Sequence, residues 1–188
     1  MANKNTKGFG LIPGDRLGNT PAISGQSKYF IDAGTAGAIY NGGAVKSAAG
    51  YIVEGQGSAA PVVGVLNGVF YNAATTLKPT WANYYAGSIT PANSEDVTAF
   101  VNDDPFQNYI VATSAAAAQA VFLETFDMGA SAGDTNTGKS TATLNIAVTG
   151  ADDKQYRLLR SAEDPENSDA TAAYASVIVV ANLLELQS

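Results

Sequence analysis

The 188-residue chain has no cysteine and no histidine, and only 14% of its residues are charged. Each shortage removes a class of chemistry. Without cysteine there are no disulfide staples, thiolate metal sites or sulfur nucleophiles. Without histidine, the usual general base and metal ligand near neutral pH is gone, and with it Ser-His-Asp triads and most zinc sites. Ser-Lys, carboxylate-pair and Mg²⁺ chemistry stay open. Long apolar runs are missing too. "ASVIVVANLLEL" is too short for a membrane span and is broken by Asn182. The start, "MANKNTKGFGLIPG", is basic but lacks an apolar run of signal-peptide length. The expectation is a product made in a cytoplasm that stays soluble, with no membrane partner.

What is abundant is Ala, Gly, Thr, Ser and Asn, a composition that suits a β-rich structural protein better than a helical enzyme. The net charge of −7 is uneven: residues 1–28 carry +3 and residues 29–188 carry −10. An acidic body argues against nucleic acid as a partner. A basic segment on such a body is expected to dock on something acidic. Residues 1–26 are punctuated by Gly8, Gly10, Pro13, Gly14, Gly18, Pro21 and Gly25. They read as an extended, irregular N-terminal arm.

From residue 27 to 188 the pattern is short strands between turns, which reads as one domain. "KYFID", "AVK", "YIVEG", "APVVGVLNGVFYN", "DVTAFV", "FQNYIVAT", "QYRLLRS" and "AAYASVIVVANLLELQ" are strand candidates. "NGG" (Asn41–Gly43) is a hairpin signal and "NDDP" a turn. "TSAAAAQAVFLETF" supports either a short helix over residues 115–120, followed by a strand through "FLETFDM", or a low-complexity surface loop. Around ten strands with at most one short helix predict an all-β fold, a barrel or a sandwich.

"GDTNTGKST", Gly133 to Thr141, matches the P-loop spacing of Gly133, Gly138, Lys139 and Ser140. A nucleotide site needs a helix starting at the Lys-Ser, so that its N–H groups converge on phosphate. Here Ala142, Leu144, Ile146 and Val148 alternate with Thr141, Thr143, Asn145 and Ala147. That is the period of a strand. The stretch is therefore expected to be an inter-strand loop. It also fails as a calcium loop, since Lys139 and Asn145 occupy the positions needing Gly and Glu. The acid pairs Glu95-Asp96, Asp103-Asp104 and Asp152-Asp153 point apart on a strand and fit solvated turns. No catalytic, cofactor-binding or metal-ligating residue is assigned, and the expectation is a protein that is not an enzyme.

Between Gly68 and Gly87 lie the only Trp and three Tyr. If residues 81–85 form a helical turn, Trp81, Tyr84 and Tyr85 share a face. They serve either a protein–protein interface or a satellite cluster that pins a long loop.

"LNGVFYNAATTLKPTWANYYAG", "FVNDDPFQNYIVAT", "GDTNTGKSTATLN" and "QYRLLRSAEDPEN…AYASVIVVANLL" occur in this order. In that order they resemble a group of structural proteins of tailed, often marine, phages, identified as capsid decoration or cement proteins. The resemblance spans residues 9–186. It implies a β-barrel-like or β-tulip-like body outside an icosahedral shell, made in a bacterial host cytoplasm. It also implies homotrimers and the major capsid protein as partner. The arm would lie on the shell, with Phe9, Leu11 and Ile12 as anchors and Lys4, Lys7 and Arg16 meeting acidic groups. The segment "SAAAAQA" departs from the more polar sequence of the group. Other non-enzymatic virion parts (tail-tube, head-completion or head-fibre proteins) are the alternative, followed by a surface adhesin module and a P-loop nucleotide hydrolase.

Overall fold

The structure is a computed structural model that describes residues 3–18, 20–21, 25–130, 132–147 and 153–187. Val148 of the alternating stretch and Asp152 of the third acid pair lie outside the described residues. The strands are β1 (Ile12–Arg16), β2 (Ser27–Ile31), β3 (Ala44–Ala48), β4 (Tyr51–Glu54), β5 (Gly64–Asn72), β6 (Pro79–Ala82) and β7 (Val97–Asn102). They continue with β8 (Gln107–Ala112), β9 (Thr125–Phe126), β10 (Gly133–Asp134), β11 (Lys139–Ser140), β12 (Tyr156–Ser161) and β13 (Ser176–Ala181). The fold is mainly β, as expected, but it is not a closed barrel. A first antiparallel sheet runs β1-β8-β13-β12-β9, and a second runs β2-β7-β5-β3-β4 with β6 added on β5. The second sheet curls until β2 and β4 touch, without pairing.

The alternation of side chains across a strand explains the two cores. Tyr109, Val111, Tyr156, Leu158, Val177 and Val179 line the inner face of the first sheet, where they meet Ala44 and Val65 of the second. The next residues along, Val45 and Leu66, point the other way into a second cluster. There they join Ile31, Ile52, Val97, Ala99 and Val101 inside the curl. The first half of β5 is thus buried on both faces. Its second half runs past the cover of the first sheet, and Phe70 emerges on the outside.

Several expectations are corrected. Within the stretch read as an extended arm, the described residues around Leu11–Arg16 belong to the body. β1 is the edge strand of the first sheet, paired to β8, and Leu11 is buried in the first core. Pro13 and Gly14 suit this place, because an edge strand leaves one row of backbone groups unpaired. The segment 115–120 is not a helix. Only a 3₁₀ turn at Gln119–Val121 forms, and the strand after it shrinks to Thr125–Phe126. Residues 81–85 are not helical either, since Trp81 lies in β6.

The stretch after Lys139 has the burial of a strand but little of its pairing. Ala142, Leu144 and Ile146 are buried, yet the chain threads between segments rather than joining a ladder. Leu144 donates its N–H to the Ala112 carbonyl (2.9 Å) and accepts from the Ser114 N–H (2.9 Å), while Thr143 accepts from Gly129 (2.8 Å).

Candidate interaction surfaces

The N-terminal cations face the chain's own acids. Lys4 pairs with Glu166, Lys7 Nζ lies 3.8 Å from Asp134 Oδ2, and Arg16 Nε lies 2.7 Å from Asp104 Oδ2. Arg16 also donates from its second nitrogen to the other Asp104 oxygen (3.2 Å) and sits over the Phe106 ring. The Asn3 side chain donates to the carbonyls of Asp169 and Ala173 and accepts from the Asp169 N–H. In the isolated chain these three cations thus lie against acids of its own body, with the Lys4 and Lys7 side chains still mostly exposed. Of the expected anchors, Leu11 is buried and Phe9 half-buried, while Ile12 remains exposed. Along the same edge Leu17 and Phe106 are exposed as well, and the Leu17 N–H donates to the Phe106 carbonyl at 2.7 Å. On the outer side of β1 Thr20 bridges Arg16, accepting its N–H at 2.9 Å, and no further strand pairs there among the described residues.

The aromatic cluster separates into three environments. Tyr85 is buried in the second core, with its hydroxyl donating to the Thr35 carbonyl (2.8 Å), so its assignment to an interface is corrected. Tyr84 stacks flat on Tyr40 with ring centroids 5.4 Å apart. Trp81 stands on the outer face of the second sheet against Phe100, centroids 5.2 Å apart. Its ring lies on Gly68, where an added Cβ would come within 2.4 Å of it. Phe30 and Phe70 flank it on the same face, and Phe30, Phe70 and Trp81 are 52%, 38% and 52% exposed. Sequence reasoning missed this face. Its only signal was one outward-facing aromatic in each of "KYFI", "TAF" and "GVF" (Phe30, Phe100 and Phe70), not distinguishable in sequence from the buried Tyr and Phe.

The P-loop-like stretch is a hairpin. Gly133 pairs with Ser140 and Asp134 with Lys139, and the Gly138 N–H closes the turn onto the Asp134 carbonyl at 2.7 Å. The Ser140 N–H is taken by the Asn41 carbonyl (2.8 Å), so it is not aimed at an anion. Ser140 is buried, and its hydroxyl accepts from Gln56. Gly138 has φ +67°, and a Cβ there would meet Asn83 and the Tyr84 ring at 2.5 Å. Replacing Gly138 by Ala is expected to cost about 1–3 kcal/mol through left-handed strain and crowding. Replacing the exposed Lys139 by Ala should stay within about 0.5 kcal/mol. Urea unfolding of the two variants checks this. Equal effects would show that the glycine is not what the turn needs.

The acid pairs are spread over separate partners. Asp103 accepts the Tyr29 hydroxyl (2.7 Å), which together with burial pushes that phenol up to about 12. Asp104 holds Arg16, and Asp96 accepts the Tyr51 hydroxyl. Tyr156 is the most enclosed phenol: burial drives its pKa well above the ordinary value, and its hydroxyl has no partner. No cluster of carboxylates suited to a metal occurs among the described residues, and no helix among them is long and apolar enough to cross a membrane.

No known relative decides between these surfaces. The chain matches no family model, no curated protein and no solved structure. Its reading therefore rests on its own geometry and on the resemblance of its ordered motifs.

Proposed function

We propose that this chain is a non-enzymatic virion structural protein, a capsid decoration protein that binds the outside of an assembled major-capsid-protein shell and stabilises it. The open edge of β1 carries this reading. An edge strand with Ile12, Leu17 and Phe106 exposed beside it is a template for strand addition, a contact natural proteins otherwise avoid leaving open. Backbone hydrogen bonds along β1 would give affinity, and the three apolar side chains would anchor it. Binding restricted to the assembled shell stabilises that state by mass action. The rest of the acidic surface would face solvent and keep particles apart.

On this reading the shell contact is the edge of a folded sheet and not a free arm, and the test follows from that. Purified protein is added to shells that lack it, and occupancy is read by co-sedimentation and image reconstruction. Wild type should fill its sites. The Ile12→Asp, Phe106→Asp double variant should lose at least tenfold in occupancy while keeping its melting temperature within a few degrees. A wild-type protein that ignores the shells, or a double variant that fills them equally, overturns the reading.

A further inference from the structure

We propose that the outer face of the second sheet mates with the same face of a second copy of this chain, in a two-fold dimer. Cross-strand pairing sets Phe30, Thr98, Phe70 and Trp81 in one row over β2, β7, β5 and β6. On one side of this row lies Lys28, paired with Phe100 and with its ammonium 6.0 Å from that ring's centroid. On the other side, beyond the pair Ile31–Val97, the chain runs into the exposed carboxylates of Asp32 and Asp96. Lys28 and Phe30 alternate along β2, and Asp32, the first residue after its end at Ile31, continues that two-residue spacing. The ammonium and the carboxylate are therefore anchored about 13 Å apart, on either side of the row. Asp96 accepts the Tyr51 hydroxyl, whereas Asp32 and Lys28 have no ion-pair partner among the described residues.

This layout is what a two-fold contact requires, because such an interface must complement itself. A two-fold axis lying along the aromatic row stacks each ring on its own counterpart. It also brings Lys28 of each copy against Asp32 of the other, twice per dimer. A face that carried only aromatics would fit many partners, but a cation and a carboxylate placed symmetrically about the row select a second copy. Charge points the same way. Two bodies of net −7 repel. Lys28, Phe30, Phe70, Trp81, Thr98 and Phe100 include no carboxylate, and the acids beside them, Asp32 and Asp96, are confined to one side of the row, so two copies meet here with little repulsion.

The aromatics supply the core of the contact area, and the polar surface around them must supply the rest. Aromatic side chains bury about 150–250 Å² each, so the exposed parts of Phe30, Phe70 and Trp81 supply on the order of 300 Å² per copy. A stable interface takes about 800 Å² per partner, with a polar rim around an aromatic core.

This surface lies on the other sheet from β1, and the proposal goes beyond the shell reading. Its test uses the isolated protein, so its failure and that of the shell reading are separate results. Sedimentation equilibrium and light scattering at tens of micromolar should give twice the 19.2 kDa chain mass. Phe30→Ser and Trp81→Ser should each give monomers, with Phe30→Ser keeping the fold even if Trp81→Ser loosens the hairpin. Lys28→Asp and Asp32→Lys should each weaken the dimer about tenfold, and the combined charge swap should restore it. A monomeric or trimeric wild type overturns the proposal. So does a dimer that survives both aromatic variants, or one that the charge swap fails to restore.

Discussion

Replacing Leu11 by Ala is expected to destabilise the protein by about 2–5 kcal/mol, although the residue lies in a segment whose sequence reads as a detachable arm. Leu11 is among the largest fully buried side chains and packs in the first core. Its N–H donates to the Gly42 carbonyl at 2.8 Å and the preceding Gly10 N–H to Ala142 at 3.1 Å, which fixes where the side chain enters. Truncation removes its transfer free energy and leaves a void that neighbouring strands fill only in part. For a chain of this size about 2–4 °C of melting temperature is lost per kcal/mol. The drop should be about 5–15 °C, with the urea m-value unchanged. Ile12→Ala, one residue on but exposed, should stay within about 0.5 kcal/mol. Equal effects at both positions would mean that the segment does not belong to the core. Deleting residues 2–16 should be worse still, since it strips the edge strand from β8, so truncation is a poor test of shell binding.

The strands that could be read from sequence are those with a strict period and a buried face. β7 alternates Val97, Ala99 and Val101 inward, and β13 is a near-continuous β-branched run because it is central in the first sheet. Elements set by tertiary contact could not be read. In "IPGDR", Pro13 and Gly14 look like chain breakers, and only the presence of β8 beside them makes a strand. "SAAAAQA" has helix propensity. Yet the Ala117 N–H donates to the distant Ala170 carbonyl (2.9 Å), and an isolated six-residue helix cannot compete with such pairing. The candidate site divides in the same way. The aromatic-rich stretch "TWANYY" was visible as a stretch, but which ring faces outward depends on β6 being a strand. That separates Trp81 from Tyr85 and joins it to Phe30, 51 positions away in the chain.

The P-loop-like motif shows why spacing alone misleads. Gly138 is required for its positive φ and its fit against Tyr84, and Ser140 for its buried hydroxyl. These are packing reasons that produce the same letters as a phosphate cradle. What distinguishes the two is the direction of the backbone after Lys139, and the period-two burial of Ala142, Leu144 and Ile146 carried that information.

The other large effect is at Gln155, which no motif marks. It is fully buried at the start of β12. Its amide nitrogen donates to the carbonyls of Gly55 (2.9 Å) and Ala60 (3.0 Å), beyond the end of β4, and its amide oxygen accepts the Met128 N–H (3.2 Å). One side chain thus ties the loop after β4 to the first sheet. Gln155→Leu keeps the volume and removes all three bonds, leaving the buried Gly55 carbonyl and Met128 N–H and the part-buried Ala60 carbonyl without this partner. At about 1–3 kcal/mol for each unsatisfied group, partly offset by the added apolar surface, the expected loss is about 3–5 kcal/mol. Gln155→Glu separates hydrogen bonding from volume. An ionised carboxylate there can accept from Met128 but cannot donate to either carbonyl, and burial opposes its charge. Its pKa in the folded protein must therefore lie above the unfolded value of about 4.3. The contribution of the neutral form to stability is then fully present below about pH 4.3 and is lost as pH rises through the folded pKa. Relative to wild type, Gln155→Glu should be least stable near neutral pH and recover part of the deficit on acidification, while the deficit of Gln155→Leu stays constant. Parallel pH profiles for the two variants would show that the amide donors at Gln155 are not what holds the loop.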